Sequence, residues 1–207
     1  MSGVEGKWPF ELGKSPFRVK GIAYRSALLA LAEDADVSVE SFVESIPEPE
    51  MRDWLSQRFL AASWYDVYPL VDLARVLARR EGRVVTETWK ENARRVAERD
   101  LGSIFRFLLR MTSPRVVASR LPQVSSRYFD FGRLEILESH DESVVLERTG
   151  TPSPIVQWYA IVTGEWVLEA LRTSGASAAE YSFTREVAGK AHGVPTEVIT
   201  LRFRWRG

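Results

Sequence analysis

The chain has no cysteine and only two histidines in 207 residues. Without cysteine there is no disulfide scaffold, thiolate zinc site, iron–sulfur cluster or thiol nucleophile. Net charge is missing as well: 28 basic and 28 acidic side chains cancel, so no whole-molecule field steers the protein to nucleic acid or an anionic membrane. No run approaches the roughly 18 to 20 apolar positions of a bilayer span. Met1 to Pro16 lacks the basic start, apolar stretch and small-residue cleavage site of a secretory signal. It reads as a flexible N-terminal arm, residues 1–16, in which Trp8 and Phe10 dock, and the protein reads as cytoplasmic. What the chain has in quantity is aromatic: seven Trp, six Tyr and ten Phe. Set beside two histidines, that supply points to packing or an apolar pocket rather than to acid–base chemistry.

The first half is helical in period. Phe17 to Tyr24 is short and ambiguous, with extended character, and an Ala/Leu helix continues over 26–33. Asp36 reads as the cap of a helix carrying Phe42, Val43 and Ile46. Pro47 and Pro49 break it and open another with Met51, Trp54, Leu55 and Phe59. After Asp66, residues Val67, Leu70, Val71, Ala74, Leu77 and Ala78 recur at helical spacing until Gly82. A polar amphipathic helix follows from Thr86 through Ala97, then the apolar run Ile104 to Leu109. Ser113-Pro114 caps a short helix ending at Leu121.

Past Leu121 to Ser126 the period changes to two. Phe131 to Glu138 and Ser143 to Thr149 read as a hairpin. Ile155 to Thr173 is a long helix, apolar on more than one face and therefore buried on most sides. Ala179 to Ala188 and Thr196 to Arg206 are two more strands, the last alternating Ile199, Leu201, Phe203 and Trp205 with Arg202, Arg204 and Arg206. The fold class is α+β: a helical N-terminal half, then ββαββ with an antiparallel sheet packed on a long aromatic helix. We read one domain, residues 17–207, with a helical layer over 17–125 and the ββαββ section over 126–207.

Catalytic patterns are wanting. His140 and His192 both fall in turns, and no Gly-x-Ser-x-Gly elbow supplies a nucleophile. No His or carboxylate group stands at metal-ligand spacing on a helix face. Gly189-Lys190 ends no phosphate loop, because Thr184 replaces its first glycine and Ala191 its Ser/Thr. Rossmann glycines are absent. The arginines of the last strand lie opposite its aromatics, the pattern of a half-buried strand and not of a nucleic-acid stacking platform. The reading is therefore no enzyme, no metal, no nucleic acid and no membrane insertion. Trp158, Tyr159 and Trp166 on the long helix either fill a core or line an apolar pocket.

Phe105 to Arg110, Ser113-Pro114-Arg115-Val116-Val117, Leu121-Pro122, the pair around Phe131-Gly132 and Val144-Val145-Leu146, the Trp158 to Gly164 helix, and the closing Val198 to Trp205 strand together resemble an uncharacterised paralogous family of myxobacteria. That family is similar to the superfamily of heme nitric-oxide/oxygen-binding domains, 4-vinyl-reductase-type domains and TRAPP-type tethering subunits. The resemblance implies an aromatic-lined space between helices and sheet, and dimerisation through helices. Its heme branch needs a proximal histidine on a helix before the β-section and a Tyr-x-Ser-x-Arg motif within it. No histidine precedes His140, and the near match Tyr24-Arg25-Ser26-Ala27-Leu28 lies at the wrong end with Leu28 in place of arginine. No cofactor is expected; heme is rejected. The first functional expectation is a heme-free sensory domain holding a small apolar ligand near Trp158, Tyr159, Val162, Trp166, Phe131 and Phe183. The alternative is a scaffold or tethering domain acting through a protein partner or homodimer, motivated by the apolar Val67 to Ala78 helix and the Trp54/Phe59/Trp64 run.

Overall fold

The computed structural model describes residues 8–101 and 112–207; the apolar run Ile104 to Leu109 lies outside them. A short strand β1 (Arg18–Lys20) leads into α1 (Gly21–Asp34), followed by α2 (Val39–Glu44), α3 (Pro49–Leu55), β2 (Trp64–Asp66), α4 (Tyr68–Glu81), α5 (Val85–Asp100) and α6 (Pro114–Tyr128). The second half is β3 (Arg133–His140), β4 (Ser143–Pro152), a single 3-10 turn, α7 (Val156–Thr173), β5 (Ser177–Ala191) and β6 (Val194–Arg206). The α+β reading holds, with helices first and ββαββ after.

The ambiguous Phe17 to Tyr24 segment is two elements. Arg18 to Lys20 pair antiparallel with Trp64 to Asp66, a strand whose three residues are too few to set a period. Gly21 then turns the chain into α1, and it must lack a side chain: a Cβ there would overlap the Leu60 carbonyl oxygen. Asp66 anchors the preceding residues, accepting from the backbone N–H of Gly13 at 3.1 Å, Ser15 at 3.3 Å and Tyr68 at 3.0 Å. Trp8 lies against Tyr68, ring centres 4.7 Å apart. Helix α2 is capped by Ser38, whose Oγ accepts from Ser41 N–H, not by Asp36, which adopts φ +52° beyond the end of α1.

Helix α4 buries the stripe read from its spacing: Leu70, Val71, Ala74, Leu77 and Ala78 all face inward, and Gly82 ends it at φ +65°. Trp54 and Phe59 pack on Tyr24, which stacks on Phe59 at 4.3 Å. Phe59 is buried there, while Trp54 and Trp64 stay half-buried.

The largest departure is α6. Ser113 caps it as expected, but it runs through Pro122 to Tyr128 rather than stopping at Leu121. Proline in a helix interior removes a hydrogen bond and crowds the preceding turn. Leu121, Val124, Ser125 and Tyr128 nevertheless recur at helical spacing and all line one cavity, and this packing outweighs the local preference to end.

The sheet order is β3-β4-β6-β5, antiparallel throughout. Its inner face carries Val144 and Leu146 of β4 and Ile199, Leu201, Phe203 and Trp205 of β6, all buried. Helix α7 crosses that face so closely that a Cβ on Gly164 would run into the Tyr181 ring. The β5–β6 hairpin is longer than its alternation suggested. Its turn is only His192-Gly193, at φ +49° and +80°, so Gly189 is a strand residue paired with Thr196.

Candidate functional site

Helices α1, α4, α5, α6 and α7, with Val19 of β1 and Leu134 of β3, line a half-open cavity of about 140 Å³. Its apolar wall comes from Ala23 and Ala27 of α1, Trp89, Ala93 and Val96 of α5, and Leu121 of α6. Helix α7 contributes Trp158, Tyr159, Val162 and Trp166, the four helix residues expected at a pocket. They converge because positions 158, 159, 162 and 166 fall on one stripe of the helix, turned toward the helical layer rather than the sheet.

Phe131 and Phe183 do not join them. Phe131 follows α6 in the connection to β3 and packs edge-on against Phe17 at 5.6 Å and Phe129 at 5.5 Å. Phe183 pairs with Leu201 on the edge strand β5 and is half-exposed. The cavity lies on the side of α7 away from that strand, so inward alternation on β5 reaches the helix but not the space behind it.

A few polar groups interrupt the wall. Asp100, at the end of α5, accepts from Ser26 Oγ at 2.9 Å and lines the pocket together with Trp166 and Tyr128. Burial holds its carboxyl above the ordinary range. Burial, and then the charge of Asp100, pushes the Tyr128 phenol up to about 12. Ser125 Oγ lies 3.3 Å from the Tyr159 hydroxyl. Asn92 Oδ1 is buried without a protein partner among the described residues.

Behind Ser125 stands a residue the sequence reading passed over. Arg148 of β4 is 1% exposed. Its Nη1 donates to Ser125 Oγ at 2.9 Å and its Nη2 to the Phe131 carbonyl, while Nε has no partner among the described residues. The guanidinium carbon sits 4.8 Å from the centre of the Tyr159 ring and about as close to Phe129 and Phe131. Alternation with Val144 and Leu146 already placed position 148 on the inner face, so a buried arginine was legible there. Arg148 also lines a second, open cleft of about 660 Å³ with Asp130, Gly132, Arg133 and Glu135; Phe129 and Leu134 are walls of both spaces. His140 and His192 line neither.

No known family profile matches the chain, and no curated protein matches it. Solved structures do. An oxygen-binding H-NOX domain related to soluble guanylate cyclases superposes with a TM-score of 0.62 at 12% identity, over 91% of this chain and 95% of that one. A mutant of the T. tengcongensis H-NOX gives 0.61 at 12%, over 91% and 98%. The Fe(II) unliganded H-NOX protein from K. algicida gives 0.59 at 12%, over 91% and 97%. The chain therefore has the H-NOX fold.

Heme does not suit the cavity. Among the described residues no His, Cys or Met lines it, so an iron would meet no imidazole, thiolate or thioether. Of the two tyrosines on its wall, Tyr159 is hydrogen-bonded to Ser125, and the Tyr128 phenol is held protonated by burial and the charge of Asp100. Its volume is close to that of an engineered cavity of about 150 Å³ which holds benzene.

Proposed function

We propose that the protein is a non-enzymatic, heme-free sensory domain that binds a small apolar molecule in the α5–α6–α7 cavity and signals occupancy through protein contacts. The observation that carries this reading is a pocket walled by Trp89, Trp158, Tyr159 and Trp166, on whose lining no His, Cys or Met stands among the described residues. Apolar walls with a few placed polar groups are the usual make-up of a small-molecule site. The similarity in fold to an oxygen-binding H-NOX domain supports a small-ligand role. Kinship with the myxobacterial family, a cytoplasmic location and a protein partner or homodimer belong to the same reading. Occupancy acts by favouring one packing of α5, α6 and α7 over another.

The test uses the three tryptophans of the wall. Benzene or toluene is expected to change their emission saturably at one equivalent and to raise Tm, whereas hemin yields no stoichiometric Soret band. A one-to-one heme complex, or no response to any ring-sized ligand, would overturn the reading.

A further inference from the structure

We propose that the molecule held in the cavity is a small ammonium, an apolar body bearing one protonated amine, with Asp100 as its counter-ion; the inference rests on the cavity reading and names its ligand class. Among the described residues that line the cavity, Asp100 is the only acid and there is no base. Its place follows from the sequence. Trp89, Ala93, Val96 and Asp100 recur along one stripe of α5, and all four line the cavity. The stripe is apolar up to its last member, which is a carboxylic acid.

No cation among the described residues is paired with that acid. Asp100 accepts from Ser26 Oγ at 2.9 Å, while the arginines of the preceding turns, Arg94, Arg95 and Arg99, are engaged by Glu165, Asp34 and Glu33. As the last residue of α5 it also stands at the carbonyl end of the helix, where the macrodipole opposes a negative charge. Burial holds its carboxyl above the ordinary range, as befits a carboxylate short of a cation. An ammonium beside Asp100 relieves each of these. The rest of the wall suits it too. Trp89, Trp158 and Trp166 supply the aromatic rings that attract an organic cation, and Tyr128 stands near enough to Asp100 to feel its charge. The other polar lining residues, Asn92, Ser125 and Thr163, are neutral. An anion in the same space would meet Asp100 with no base on the described wall to offset the repulsion.

The experiment compares benzylamine, which is protonated at pH 7, with its neutral analogue benzyl alcohol, with benzoate and with toluene, all on the full chain. Affinities come from tryptophan emission, and the Asp100 carboxyl is followed through a pH titration by 13C NMR. The expected result is at least about tenfold tighter binding of benzylamine than of benzyl alcohol. Benzoate gives no saturable response, and the preference for the amine disappears in Asp100→Asn. Saturating benzylamine also lowers the pH at which the Asp100 signal titrates, because a neighbouring cation favours the ionised form; benzyl alcohol does not. If the variant does not fold, that difference decides. Toluene binding with equal affinity for amine and alcohol overturns the ammonium but leaves the cavity reading standing. So does a preference that survives in Asp100→Asn, or benzoate binding as tightly as benzylamine. No response to any of the four compounds overturns both.

Discussion

At the scale of the residue, Asp100 and Arg148 are both charges that burial disfavours, and they answer to different tests. For Asp100 the folded-state pKa is raised by burial. Between the unfolded and folded values the native state holds more protons, so stability falls as pH rises through that window. Asp100→Asn keeps an acceptor for Ser26 and removes the charge. It is expected to raise Tm at pH 7 by roughly 2 °C, with the gain shrinking as pH falls toward about 4. Thermal melts of both proteins across that range check it, and a gain independent of pH would refute the assignment. Arg148→Met exchanges an unpaired buried cation for an apolar chain of similar reach. The ligand-free variant is expected to be at least as stable as the parent, by on the order of 1 kcal/mol in urea unfolding. A loss of several kcal/mol would make the arginine a structural element. Gly164→Ala drives a methyl into the Tyr181 ring and is expected to cost roughly 1–3 kcal/mol, read in the same titration.

At the scale of the element, α6 and α7 decide where the site is. Both were partly legible. The Ser113 cap and the proline after it marked the start of α6, and the continuous apolar run of α7 marked its burial. The end of α6 was not, because Pro122 is a strong local signal to stop and the reward for continuing, the burial of Ser125 and the placing of Val124 and Tyr128 against the other helices, belongs to the assembled molecule. Restoring the missing donor by Pro122→Ala is expected to stabilise by about 1 kcal/mol, seen as a higher urea midpoint. On β4, the period that placed Val144 and Leu146 inward placed Arg148 with them. That was readable, and treating basic residues as solvated by default hid it. Phe183 failed for a different reason: alternation reports which face a side chain takes, not which side of the covering helix the free space lies.

At the scale of the whole molecule, the cavity draws its wall from Val19 in β1 to Val167 in α7, across five helices. Filling it with Val162→Phe is expected to abolish the benzene-induced rise in Tm. In the parent, ligand at about 100 times its Kd adds roughly 2.7 kcal/mol. A variant that still responds places the ligand elsewhere. Spacing along the chain determined the α+β order, the inward faces of α4, α7 and β6, and the aromatic character of the central helix. Each follows from one-sided burial within a single element, a property of neighbouring residues. Only the tertiary structure decided that α6 continues past its proline, that the cavity lies on the helical side of α7, and that Arg148, behind Ser125, has no ion-pair partner among the described residues. A void and a missing counter-charge are defined by what distant segments fail to supply, and no window of sequence contains them.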